Sequence, residues 1–298
     1  MKKLMRSRIN AILSDYDGTL SPTRTIRSNI ESIPKQLEGI LWGIAQTIPF
    51  CIISSKDYHF IHDKAKFAWV FSCIMGIETI VLRKCKEIEY GSNNDDNLNC
   101  IKERYLLPNI ENILKTNSVT LSKIAENIES EFKTNVIVER KHTSDRKYLA
   151  GITIDYRHLE NWKLYKNELE PSFSEIIRKY RSPSSSIPIS NLHIQMYRSH
   201  PFLDVYSAYC DKGMAFDLIT RNILKPKDNG KMDILYLGDS ENDNPAFRKA
   251  SISVGVISDK RLTSKLDCQY LIEYERLPKF LEHLAGNKFM FSESLLAL

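Results

Sequence analysis

The chain has 298 residues, 42% of them hydrophobic and 27% charged, which excludes a disordered or fibrous protein and allows well-buried cores. Its formal net charge of +5 is small for that length, and no dense Lys/Arg block interleaved with aromatics marks a nucleic-acid surface. No apolar stretch approaches the ~20 residues that span a bilayer, and the basic opening MKKLMRSRINAILSD lacks the apolar core of a signal peptide.

The six cysteines, Cys51, Cys73, Cys85, Cys100, Cys210 and Cys268, form no CxxC pair, and several lie in apolar runs. That pattern predicts reduced, mostly buried thiols and no zinc site. The expectation is a soluble cytoplasmic protein without membrane or nucleic-acid partners.

Residues 9–14 form an apolar run that stops abruptly at Asp15-Tyr16-Asp17-Gly18-Thr19. An apolar run bounded by turn residues reads as a strand buried on both faces, as in a parallel sheet. A helical segment follows over 26–45, weakened by Pro34 and two glycines. A second run, 48–53, ends in Ser54-Ser55-Lys56, and helical residues 58–67 lead to a third run, 69–74. Strand alternating with helix predicts a doubly wound parallel sheet.

The pattern changes near Lys84. Residues 91–97 are polar and turn-rich. Ile124, Ile128 and Phe132 then form one apolar helical stripe. Strands at 136–139 and 149–156 precede a helix carrying Trp162, Tyr165, Leu169, Phe173, Ile176 and Tyr180. The Ser/Pro segment 182–188 ends it, and strands at 192–197 and 202–209 follow. Helix, two strands, helix, two strands predicts an α+β module with an antiparallel sheet.

The first pattern resumes at Lys212. A helix over 213–224 leads to a strand at 233–237 that ends in Gly238-Asp239-Ser240, with a helical turn near Pro245. Strands at 251–257 and 269–272 and a last helix close the chain. The α+β module is therefore expected as an insertion: core 1–83, cap 84–206, core 207–298.

Ligands of open α/β sheets bind at the carboxyl ends of the strands. Asp15 and Asp17 close one expected strand, Ser54 another, and Asp239 with Asp243 a third, while Lys212 precedes a helix. Phosphoryl transfer needs a nucleophile, a divalent cation and fixed groups around the phosphate oxygens. A carboxylate can attack phosphorus covalently, and magnesium takes oxygen ligands. Asp15 and Asp239 suit the metal, Ser54 and Lys212 suit phosphate, and Asp17 suits protonation of the leaving oxygen. Gly18 permits the tight turn that returns Asp17 over the site. Taken singly, each motif also reads as an ordinary turn, cap or solvated side chain. DYDGTL is not an EF-hand loop, since Thr19 and Leu20 stand where an oxygen ligand and a glycine are needed. Lys56 reads equally as a lysine that could reach a ligand phosphate and as a solvated helix-start lysine, and the histidines, among them His59, His62 and His142, show no metal-ligand spacing.

Together, DYDGTL at 15–20, Ser54, Lys212 within DKG, and GDSENDNPAF at 238–247 resemble the four motifs of the haloacid dehalogenase superfamily of phosphatases. The resemblance implies a Rossmann-like core with Asp15 as nucleophile and Asp17 as general acid and base. It further implies Mg²⁺ held by Asp15, the Asp17 carbonyl and Asp239, with Asp243 supporting the metal site and Lys212. The inserted module resembles the type-two-B cap, whose bearers include trehalose-, sucrose- and mannosyl-phosphoglycerate phosphatases, phosphoglycolate phosphatases and phosphomannomutase. Tyr16, Ser21-Pro22, Gly76-Ile77-Glu78, Val138-Glu139-Arg140-Lys141 and Tyr156-Arg157 are similar to the trehalose-6-phosphate branch. Gly18, Glu139, Lys141 and Arg157 are thus the expected substrate-binding positions. Ser54-Ser55-Lys56 replaces Ser-Gly-Arg, Asp155 replaces a His, and 144–149 lengthens a cap hairpin. The expected activity is Mg²⁺-dependent hydrolysis of a small sugar phosphate, with a phosphotransferase or a non-catalytic phosphosugar sensor as alternatives.

Overall fold

The computed structural model describes residues 7–22, 32–82, 103–180, 192–198, 200–225, 232–258 and 266–296. A short strand β1 (Ser7–Arg8) precedes β2 (Ala11–Ser14); α1 (Lys35–Ala45) leads to β3 (Phe50–Ile53) and α2 (Tyr58–Ile61) to β4 (Val70–Cys73). Next come β5 (Glu78–Val81), β6 (Glu103–Leu106), α3 (Ile110–Phe132), β7 (Ile137–His142), β8 (Leu149–Asp155), α4 (Trp162–Lys179), β9 (His193–Met196) and β10 (Phe202–Tyr206). The chain closes with α5 (Lys212–Leu218), β11 (Ile234–Gly238), α6 (Asn244–Phe247), β12 (Ile252–Ile257), β13 (Tyr270–Glu273), α7 (Leu277–Gly286) and β14 (Met290–Phe291). No helix among the described residues is long and apolar enough to cross a membrane.

The larger sheet has eight strands in the order β13-β12-β11-β2-β3-β4-β5-β6. The first six run parallel, and β5 and β6 are antiparallel additions at one edge. Its central strands β2, β3, β4 and β11 are buried along their whole length because helices cover both faces. Ile12, Phe50, Ile52, Leu235 and Leu237 pack towards α1 and α7, whereas Ala11, Leu13, Cys51, Ile53, Ile234 and Tyr236 pack towards α5 and α6. The α/β core with its inserted α+β module, expected from the pattern, is the fold observed.

The two edge strands were not foreseen. A left-handed turn joins β4 to β5, with φ of 52° at Ile74, 56° at Met75 and 94° at Gly76. Isoleucine and methionine rarely adopt that conformation, so Gly76 alone signals the turn in the sequence. Residues 84–206 consequently supply β6 to the large sheet as well as the whole of the small one. Helix α1 begins at Lys35, with Pro34 just outside it in extended backbone, so the helical stretch expected over 26–45 is shorter; residues 26–31 lie outside the described residues. So do the polar segment 91–97 and the Ser/Pro segment 182–188. The helix expected over 213–224 is α-helical only to Leu218 and widens into a π turn over Ile219–Ile223.

The small sheet, β7-β8-β10-β9, is antiparallel throughout. Period-two alternation gives it two unlike faces. Ile152, Ile154, Leu203 and Val205 meet Leu121, Ile124, Ile128, Leu169, Phe173 and Ile177 of α3 and α4. The other face carries Glu139, Thr153, Asp204 and Gln195 in one cross-strand row. Thr153 and Asp204 of that row line the ceiling of a cleft.

Candidate active site

Strand register determines which side chains meet. Ser14 pairs with Leu237 on one side and with Ile52 on the other. The chain therefore leaves the sheet at Asp15, Gly238-Asp239 and Ser54 from three adjacent strand ends. The Asp15 N–H donates to the Leu237 carbonyl at 2.9 Å, carrying the pairing one residue beyond the strand. Beyond Asp15 the chain folds back tightly: Gly18 has φ of +84°, and its N–H donates to the Ser21 carbonyl at 2.7 Å. Leu20 and Ser21 both donate to the Tyr16 carbonyl. Glycine meets the left-handed requirement at no steric cost, and the turn leaves Asp17 on the cleft wall.

Lys212, 1% exposed, places its Nζ 2.8 Å from Asp15 Oδ1 and 2.7 Å from Asp243 Oδ1. Asp243 is fully buried and also accepts from the Tyr236 hydroxyl at 2.6 Å and from the Asp239 and Ser240 N–H groups. Thr19 donates to Asp239 Oδ1 at 3.2 Å. One carboxylate oxygen from each of Asp15, Asp239 and Asp243 lies within 4.8 Å of the others.

Two buried carboxylates and a half-buried third, clustered beside one ammonium, leave an excess of negative charge. Burial raises the Asp15 carboxyl to about 7, since Lys212 lowers it by less than burial, Asp243 and Asp17 raise it. Asp239 is driven well up by burial and then by Asp15 and Asp243. Burial opposes the charge of Lys212, but Asp15 and Asp243 outweigh it and raise its pKa. The donor set is all oxygen, the chemistry of a hard divalent cation such as Mg²⁺, and such a charge would relieve the excess.

Close approach at Gly238 brings Asp243 under the β11 end: a Cβ built there would lie 2.7 Å from the Asp243 Cβ. Gly238→Ala is therefore expected to cost about 1–3 kcal/mol through overpacking, measured by urea unfolding. A loss below about 0.5 kcal/mol, the range of inert surface changes, would show that the approach is not needed.

The cleft runs between the large sheet's carboxyl edge and the small sheet. Asp15, Asp17, Ser55, Lys56, Asp239 and Asn242 line it from below, and Thr153, Arg157, Tyr197, His200, Phe202 and Asp204 from above. Ser54 is one step behind this wall, 1% exposed, its Oγ accepting the Lys56 N–H at 3.1 Å.

The expected cap residues divide. Arg157 lines the cleft, paired with Asp155 at 2.8 Å and set over the Phe202 ring. Lys141 is buried instead, with its Nζ 2.9 Å from Asp204 Oδ1. Glu139 pairs across the cleft with Lys56 at 2.8 Å. Asp204 escaped the sequence reading, although it is a charged residue within the apolar strand FLDVY, and that was the available signal. It accepts from Lys141, Thr153, Tyr197 and Tyr206. Burial pushes its carboxyl up, but Lys141 and the hydroxyls outweigh it and hold it below the usual range.

The module is fastened to the core at its β7–β8 hairpin. Buried Glu78 accepts from the Ser144 N–H and hydroxyl, both at 2.8 Å, and pairs with Arg104, which also reaches Asp145. Asp57, which caps α2 through the Phe60 N–H, accepts the His142 N–H at 3.1 Å. The lengthened hairpin is thus a docking element.

No family model matches the chain, and no curated protein matches it. Solved structures do. A trehalose-6-phosphate phosphatase related protein superposes with a TM-score of 0.63 at 15% identity, over 93% of this chain and 99% of that one. The C-terminal domain of C. albicans trehalose-6-phosphate phosphatase gives 0.64 at 17% identity, over 94% and 93%. A haloacid dehalogenase-like hydrolase from Bacteroides thetaiotaomicron gives 0.58 at 15% identity, over 93% and 100%. The shared property is the fold, a haloacid dehalogenase-type core carrying an inserted cap.

Proposed function

We propose that the chain is a Mg²⁺-dependent phosphatase that cleaves a small sugar phosphate monoester through an aspartyl-phosphate on Asp15. The carrying observation is the Lys212 ammonium shared between Asp15 and Asp243 beside Asp239, at the floor of a capped cleft that Asp17 also lines. The structural neighbours described as trehalose-6-phosphate phosphatases support the same reading, and the chain spans nearly their whole length.

In this reading an Asp15 carboxylate oxygen attacks phosphorus, and the ester oxygen leaves with a proton from Asp17. Asp17 then takes a proton from the water that cleaves the aspartyl-phosphate, which returns Asp15. Lys212 keeps Asp15 oriented and balances its charge, and Ser54 backs the phosphate side of the wall. Asp15, the Asp17 carbonyl and Asp239 would hold Mg²⁺, with Asp243 behind them; bound, the ion supplies positive charge to the phosphate oxygens. The small sheet with α3 and α4 acts as the cap over a core built from both ends of the chain, excluding water from the intermediate. Thr153, Asp204 and Arg157 on its cleft face present the polar groups that a sugar needs. Cys51, Cys73, Cys210 and Cys268 are free, in keeping with a cytoplasmic enzyme; Cys85 and Cys100 lie outside the described residues.

The test is phosphate release from disaccharide, hexose and glycerate phosphates with Mg²⁺. Turnover of one sugar phosphate is expected, with trehalose-6-phosphate the first choice. Isomerised sugar phosphate without net phosphate release, or tight binding without turnover, would reject hydrolysis.

The raised Asp15 carboxyl sets a pH dependence. A group held protonated to about pH 7 gives the ion-free fold stability that is complete below the unfolded carboxylate range and lost as pH rises through 7. A cation needs that proton gone, so Mg²⁺ affinity should rise about tenfold per pH unit below 7. The rise in unfolding temperature on adding Mg²⁺ is therefore expected to be larger at pH 8 than at pH 5.5. Equal shifts would refute a carboxylate site.

A further inference from the structure

Lys56 and Glu139 form an ion pair whose two ends belong to different sheets. Lys56 follows the end of β3 in the core, and Glu139 lies on β7 of the cap. The Nζ is 2.8 and 3.2 Å from the two Glu139 oxygens, and the side chains are only 10% and 17% exposed. Lys56 also lines the cleft with Asp15 and Asp17.

The Lys56 backbone is held firmly. Its N–H donates to Ser54 Oγ, and its carbonyl accepts the Ile74 N–H at 2.9 Å. The neighbouring Ser54 carbonyl accepts from Met75 at 3.0 Å. Both donors belong to the left-handed turn after β4, whose non-glycine residues persist there only because surrounding contacts hold them. Its ammonium lies 4.9 Å from the Phe60 ring centre, an aromatic face along which a lysine can slide while keeping contact. A fixed base with a movable cation suits exchange between two anions.

We propose that Lys56 is a phosphate-binding residue held in reserve by Glu139, so that phosphate arriving at Asp15 takes the ammonium from the cap. A phosphate dianion carries twice the charge of Glu139 and more acceptor oxygens, so it competes well for a partly desolvated ammonium. With the ammonium withdrawn, one charged tie between cap and core is broken. Phosphate charge and the hold of the core on the cap are thereby coupled through one lysine. The inference rests on the phosphatase reading and deepens it.

The experiment is calorimetric titration of inorganic phosphate into the Mg²⁺-loaded protein. Lys56→Met should weaken binding about ten- to a hundredfold, the weight of a charge-assisted hydrogen bond, while Lys56→Arg should retain most of it. Glu139→Gln should tighten binding several-fold by removing the competitor. In the Lys56→Met, Glu139→Gln double variant that tightening should vanish, because no ammonium remains to be released. Shifts in the same direction for both single variants, no shift in either, or tightening that survives without Lys56 would each overturn the proposal. If the wild-type protein binds no phosphate with Mg²⁺ present, the phosphatase reading falls first, and this inference with it. Glu139→Gln keeps side-chain shape, so it reports even if Lys56→Met folds poorly.

Discussion

Asp15→Asn is expected to lower phosphate release by at least about four orders of magnitude, the scale seen when a covalent nucleophile is removed from a site that otherwise stays intact. Asparagine has nearly the volume of aspartate, so the β2 end and its pairing with Leu237 need not move. The amide also removes a carboxylate that burial and Asp243 disfavour as an anion. Above pH 7 the variant should therefore unfold no earlier than the wild type. Stability and activity separate in this one substitution, which excludes misfolding as the cause of lost turnover. Residual turnover near the wild-type level would end the assignment of Asp15.

Lys212→Met is expected to damage fold and activity together. Methionine retains the stem but leaves Asp15 and Asp243 facing each other without the ammonium that touches both at 2.8 and 2.7 Å. Breaking a buried pair by deleting one partner costs about 3–5 kcal/mol. For a chain of this size that corresponds to an unfolding midpoint lower by roughly 5–8 °C. The loss carries a pH signature. At pH 5 the Asp15 carboxyl, raised to about 7 by burial, is neutral and tolerates the loss; at pH 8 it carries its charge without the ammonium. Thermal unfolding should thus show the larger deficit at pH 8. An equal deficit at both values would mean that Lys212 contributes packing rather than charge.

The strand ends were legible because a parallel sheet covered on both faces demands uninterrupted apolar runs, and each run halts where chemistry begins. Asp15, Ser54 and Asp239 could be located that way, and Lys212 by the helix it opens. Glu139, Lys141 and Arg157 were legible as charged residues on cap strands but not by orientation. Arg157 reaches the cleft, Lys141 is consumed by Asp204, and Glu139 holds Lys56. Their partners lie 63 residues away in one pair and 83 in the other. No local pattern records such a separation.

Local sequence determined the apolar strands at the centre of the large sheet, which residues end them and hence which acids can converge, since burial and turn geometry act over a few neighbouring residues. Tertiary structure alone decided the charge balance of the site and the bridge from Lys56 to the cap. Both depend on desolvation and on ions from distant segments meeting within 3 Å, and those conditions exist only after the two sheets have packed.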